Sequence, residues 1–128
     1  MLYPRNGFGK GEKHMPDCLF CKIIAGQIPC AKVYEDENTL IFKDISPKAP
    51  THLLAIPKEH FATIQEIPSA KMGLMVNLFN AVGKIVTQLD LGTNGYRLVI
   101  NSGEHAGQAV PHLHAHILAG RDLAWPPG

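Results

Sequence analysis

The sequence predicts an α+β protein: a five-stranded antiparallel sheet packed by one long helix and one short helix. Three observations carry this prediction. Apolar residues keep a helical period over one long stretch only, Ser69 to Leu91, and over one short stretch near residue 20. Five β-rich runs are joined mostly by short turns, which suits antiparallel rather than parallel pairing. The chain has 128 residues, 45 % hydrophobic and 18 % charged, enough for one good core but marginal for two.

The elements follow in order. Residues 1–16 are polar and Gly-rich, lack the apolar centre of a signal peptide, and are expected to be a flexible leader to a single domain spanning 17–128. Within the leader, "GFGKG" resembles a phosphate loop only superficially, because no strand precedes it and the spacing is wrong. "CLFCKIIAG" (18–26) places apolar residues at 19, 20, 23 and 24, one stripe of a short helix that Gly26 stops. "AKVYED" (31–36) and "TLIFKD" (39–44) read as a hairpin around Glu37 and Asn38. "ISPKAPT" (45–51), with two prolines, is a loop, and "HLLAIP" (52–57) a third strand. Ser69, after Pro68, is a fair N-cap for the long helix through Leu91. "GYRLVIN" (95–101) is a fourth strand, "SGEHAGQAVP" a Gly-bearing loop, and "HLHAHILAG" (112–120) the fifth strand. "RDLAWPPG" ends the chain and, with two prolines, cannot lie inside a sheet.

Composition narrows the function. The formal charge is +1 without a Lys/Arg block, so a nucleic acid is not the expected partner. No apolar run reaches the length of a membrane span. Three cysteines without a secretory signal point to a reducing, cytoplasmic setting and not to a disulfide framework.

The chemistry concentrates in "PHLHAHIL" (111–118), where three of the seven histidines stand at alternate positions. On a strand, His112, His114 and His116 share one face, and Leu113, Ala115 and Ile117 point to the core. A His-rich solvated face, a zinc site and phosphoryl chemistry all fit that placement. For the last, an imidazole with a pKa near 6.5 is largely neutral at pH 7 and can attack phosphorus, splitting one displacement into two. Neighbouring imidazoles would then donate to the phosphoryl oxygens.

"PHLHAHIL", together with "DISPKAPTHLLAIPKEH" (44–60), "GYRLVINSGEHAGQAVPHLHAHILAGR" (95–121) and "WPPG" (125–128), resembles the histidine triad (HIT) superfamily, in its nucleotide-binding branch. The likeness runs from about residue 17 to the end, so residues 17–128 are expected to be a HIT domain. The resemblance implies a homodimer in which each sheet continues into the partner's. It implies binding of purine nucleoside monophosphates and hydrolysis of the P–N bond of nucleoside phosphoramidates, with no organic cofactor. By position, His114 is the nucleophile that forms a nucleotidyl-histidine, and His116 and His52 contact the phosphate. Asp44 falls at the ribose position, where a carboxylate can accept from two hydroxyls. Phe20, Ile23, Phe42 and Ile45 match the apolar base pocket, although core packing explains Phe42 and Ile23 equally well. Asn101, Gly107, Gln108 and Ala109 match the phosphate loop, where glycine admits close approach of an anion, and Trp125 matches a tail residue near the partner's site.

Two further features follow from the resemblance. The family usually carries Ser at the position of Ala109, where the hydroxyl assists the leaving nitrogen; its absence predicts a competent but slower enzyme. The pair Cys18-x-x-Cys21 is a weak signal alone, but with His60 and His112 it matches a structural zinc site of related proteins. The competing readings are a nucleotide-binding or interaction protein with weak turnover, a hydrolase using the triad as metal ligands, and a dinucleoside-polyphosphate hydrolase of the same superfamily.

Overall fold

A computed structural model describes residues 15–128. The expected leader lies outside the described residues up to position 14. Its Met15 is buried, and its backbone N–H donates to Cys21 Sγ at 3.3 Å. Five strands form one sheet: β1 (Lys32–Glu35), β2 (Thr39–Lys43), β3 (Thr51–Pro57), β4 (Tyr96–Val99) and β5 (Ala115–Ala119). Their order is β1-β2-β3-β5-β4, and every neighbouring pair is antiparallel. The short helix α1 covers Leu19–Ile24 and the long helix α2 covers Gly73–Gln88.

Both faces of the central strands are covered, and the strand alternation divides the core in two. Ile41, Leu53, Ala55, Ala115 and Ile117 face α2, where Leu78, Val82 and Ile85 complete one cluster. The intervening residues Leu40, Phe42, Leu54 and Ile56 face α1 and pack with Phe20, Cys18 and Cys21. This second layer is thin, because α1 has only six residues. The histidines sit at its open side.

Two expected boundaries are corrected. Ser69 does not cap the long helix. It opens a single 3₁₀ turn (Ser69–Lys71), and α2 begins at Gly73 with Met72 as an N-cap that makes no side-chain bond. The fifth strand begins at Ala115 and not at His112. The N–H of Leu113 donates to the Phe61 carbonyl (2.6 Å) instead of joining the ladder with β3. Among the described residues no helix is long and apolar enough to cross a membrane.

Candidate active site and metal centre

The three triad histidines occupy different environments. His112 is fully buried, His114 is 5 % exposed and His116 is half-buried. Their hydrogen bonds also differ, and these fix what each ring can do.

His114 Nδ1 lies 2.7 Å from the His112 carbonyl oxygen. A carbonyl only accepts, so Nδ1 carries the proton and the neutral ring keeps its lone pair on Nε2. Burial pulls the pKa of His114 below 6.5, against the His112 carbonyl, which favours the charged form. At pH 7 the ring is therefore neutral, with the Nε2 lone pair available. The Phe20 ring stands edge-on to it, with centroids 5.2 Å apart, and supplies part of the apolar wall.

His116 and His52 meet across the sheet. His52 lies opposite Leu118, and His116 opposite Leu54, so the two rings are diagonal neighbours on one face. His52 Nε2 and His116 Nδ1 are 2.9 Å apart. Burial first, then the neighbouring His114 and His52 rings, lower the His116 pKa to about 4. Burial also lowers that of His52, against the nearby Asp44 carboxylate. Asp44, in the turn after β2, accepts the Ser46 N–H on Oδ1 at 2.7 Å, and its Oδ2 lies 3.4 Å from His52 Nε2.

A second cluster lies behind the triad. Cys18, at the N-cap of α1, and Cys21, one turn on, converge with His60 and His112 so that the four donor atoms lie within 4.8 Å of one another. His112 Nε2–H donates to the Pro57 carbonyl at 2.8 Å, which leaves Nδ1 as a lone pair facing the cluster. The separations are 3.4 Å for Cys18 Sγ–His112 Nδ1, 3.6 Å for Cys21 Sγ–His112 Nδ1, 3.4 Å for Cys21 Sγ–His60 Nδ1 and 3.1 Å for His60 Nδ1–His112 Nδ1. Tetrahedral zinc, with bonds near 2.3 Å to sulfur and 2.0–2.1 Å to nitrogen, predicts edges of about 3.5 Å for N···S and about 3.3 Å for N···N. The donor set fits the ion in chemistry and in size. A hydrogen bond from Cys21 lowers the pKa of Cys18 against the cost of burial, with His112 and His60 adding to it. The same bond, with burial, raises that of Cys21.

The remaining expected residues fall into three groups. Phe20 and Phe42 are buried and in edge-to-face contact at 5.5 Å, and Ile23 packs half-buried beside them. Gln108 spends its side chain on the loop itself: its Oε1 accepts from Gly103 N–H, and its Nε2 donates to the Ala62 and Val110 carbonyls. Gly107, with φ +82°, makes the turn, Ala109 is exposed, and Asn101 is half-buried. Ile45 and Trp125 are 97 % and 81 % exposed, and the described chain does not bring them to the histidines. Backbone groups escaped the sequence reading altogether: the carbonyls of Pro57 and Phe61 hold the triad lead-in, and the Lys48 N–H donates to His52 Nδ1 at 3.0 Å. A single sequence carries no residue-type signal for such partners.

The HIT domain family matches residues 25–123. An uncharacterised HIT-like protein of Synechococcus elongatus is 48 % identical over 112 residues, covering 88 % of this chain and 97 % of its own. The crystal structure of a HIT family hydrolase from Legionella pneumophila superposes with a TM-score of 0.84 at 48 % identity, covering 88 % of this chain and all of that one. A histidine triad nucleotide-binding protein from Candida albicans superposes with a TM-score of 0.74 at 36 % identity, covering 85 % of this chain and 82 % of that one.

Proposed function

This chain belongs to the HIT domain family, and on that premise we propose that it is a purine nucleoside phosphoramidate hydrolase, releasing AMP or GMP through a nucleotidyl-His114 intermediate. The observation that carries the reading is the His114 tautomer. Its Nδ1–H is spent on the His112 carbonyl, so a neutral, buried Nε2 keeps the lone pair that attack on phosphorus requires.

In the first step Nε2 bonds to phosphorus, the P–N bond breaks, and the amine leaves with a proton taken from water. In the second, water attacks the same phosphorus and returns a proton to the solvent, and the His114 nitrogen departs with its lone pair restored. His116, neutral at pH 7, donates an N–H to the phosphoryl oxygens as their charge shifts. Asp44 retains lone pairs for the ribose hydroxyls, and Phe20, Phe42 and Ile23 give the purine an apolar wall. Asn101 and the turn at Gly107–Ala109 border the phosphate.

Cys18, Cys21, His60 and His112 would hold a structural zinc ion, which ties α1 to the triad lead-in. The HIT domain takes residues 17–128. Its partner is a second copy of the chain, with Trp125 reaching toward that copy's site; the exposed Val76 and Phe79 on α2 and the half-open edge strand β4 support this assembly. Three free thiols suit the reducing cytoplasm.

One observation favours a second reading, a nucleotide-binding protein with weak turnover: Ala109 offers no hydroxyl to the leaving nitrogen. Hydrolysis of adenosine phosphoramidate by wild type and His114→Ala, each with and without chelator, separates the readings. Turnover that is lost in the variant, kept with chelator, and accompanied by an adenylyl adduct in quenched wild type supports the hydrolase. Equal turnover in both proteins removes His114 from its role. Tight AMP binding without turnover establishes the binding protein.

A further inference from the structure

His52 was expected to touch the phosphate, yet both of its ring nitrogens are already engaged within the fold. Nδ1 accepts the Lys48 backbone N–H at 3.0 Å. A peptide N–H only donates, so in the neutral ring the proton sits on Nε2. That Nε2–H faces His116 Nδ1 at 2.9 Å, with Asp44 Oδ2 at 3.4 Å as a second acceptor. His116 Nδ1 is then the acceptor, and the proton of the neutral His116 ring is on Nε2. The backbone of Lys48 is also held on the far side of its Cα, where Arg121 Nε donates to the Lys48 carbonyl in the next peptide unit at 2.9 Å. A chain of directed bonds thus runs from Arg121, just past the end of β5, through the 45–50 loop and β3, back to the triad.

Resting on the nucleotidyl-transfer reading above, we propose that His52 is a positioning residue acting directly on His116, and that Arg121 is a second one acting through the Lys48 backbone. They hold His116 as a neutral ring whose Nε2–H is the donor to the phosphoryl group. The His52 side chain is only 5 % exposed, which suits a relay inside the fold better than a ligand contact. With its Nδ1 lone pair occupied by His52, His116 resists protonation at that nitrogen. The titratable groups facing His116 are His114 on the lead-in to β5, His52 on β3 and Asp44 after β2. Two of these are imidazoles that are themselves kept neutral by burial, so the carboxylate of Asp44 alone favours a charged His116.

The test is nitrogen-detected NMR of the ring nitrogens of His116 in the nucleotide-free protein, between about pH 5 and pH 8, where free histidine changes charge. In wild type, His116 is expected to keep a bare Nδ1 and a protonated Nε2 throughout. In His52→Ala it should take up a second proton within that range. His52→Gln, whose amide nitrogen can still donate, should restore the wild-type form. Turnover of the adenosine phosphoramidate at pH 7 should fall about tenfold in His52→Ala while AMP affinity stays within about threefold, as loss of one oriented hydrogen bond predicts. Arg121→Ala, a change at an exposed side chain, should shift His116 and turnover in the same direction by less. His116 nitrogens that titrate identically in wild type and His52→Ala would overturn the proposal, as would an unaltered His116 with AMP affinity lowered tenfold. Turnover and the His116 state both unchanged in Arg121→Ala would sever the outer link. The NMR outcome needs no turnover, so a failure of the hydrolase reading remains distinguishable from a failure of the relay.

Discussion

Acid is expected to destabilise this fold by an amount that one ring, His116, makes measurable. Its pKa drops from an ordinary 6.5 to about 4, chiefly through burial and then through the neighbouring His114 and His52 rings. The unfolded chain therefore binds a proton at this position from pH 6.5 downward, while the folded chain waits until about pH 4. Between those values the unfolded state holds more protons, so stability falls as pH falls. The contribution is complete above pH 6.5 and fully lost below about pH 4. At about 1.4 kcal/mol per pH unit the interval bounds the loss near 3.4 kcal/mol. Solvent reaching a half-buried ring brings the expected figure to about 2 kcal/mol. His52 and His114 are shifted the same way, so the absolute acid loss will exceed this. The difference between wild type and His116→Asn isolates the one ring, because asparagine retains an acceptor for His52 and cannot be charged. Urea unfolding of both proteins at fixed concentration, at about pH 7 and pH 4.5, should show the variant losing about 2 kcal/mol less than wild type. Parallel losses would refute the reasoning, since they would mean that His116 has the same pKa folded and unfolded.

Three other perturbations probe different parts of the structure. Gly120→Ala places a Cβ 2.8 Å from the Pro50 Cβ on a backbone with φ +96°, and should cost about 2 kcal/mol in thermal unfolding; a variant as stable as wild type would show that the loop yields freely. Cys21→Ser removes one of four converging donors, so zinc measured by elemental analysis should fall from about one equivalent per chain to a small fraction, with a lower urea midpoint. Full zinc occupancy in the variant would exclude Cys21 as a ligand. Ala109→Ser restores a hydroxyl beside the leaving group and should raise the turnover number, by up to about a hundredfold if one catalytic hydrogen bond is regained; an unchanged or lower value would sink that account.

Much of the fold was legible because it rests on periodicity. The continuous apolar runs "TLIFK" and "HLLAIP", buried on both faces, and the helical stripe that buries Met75, Leu78, Val82, Ile85 and Val86 are set by burial. The start of β5 was not legible, because "HLHAHIL" alternates throughout and nothing in its residue types marks where the ladder stops. What decides it is a competing partner, the Phe61 carbonyl, which takes the Leu113 N–H. The candidate site divides in the same way. Cys18, Cys21, His60 and His112 converge, as the family resemblance implied and the isolated Cys-x-x-Cys spacing could not. Ile45 and Trp125 lie exposed among the described residues, none of which closes a wall over them.

The early end of the ladder has a chemical consequence. Had β5 run back to His112, the His112 carbonyl would point along the sheet, away from β3 and toward the β4 side, as a ladder acceptor. Because the strand begins at Ala115, that carbonyl instead takes the Nδ1–H of His114 and fixes that ring's lone pair on Nε2. The same displacement brings the His112 ring to the Pro57 carbonyl, which claims Nε2–H and turns Nδ1 toward the two cysteines and His60. Only His116 lies within the ladder, and its state is set from the neighbouring strand by His52. Three identical side chains at alternate positions thus acquire three proton arrangements, because the backbone around each differs. The residue types allow the chemistry, and the three residues by which the strand falls short assign it.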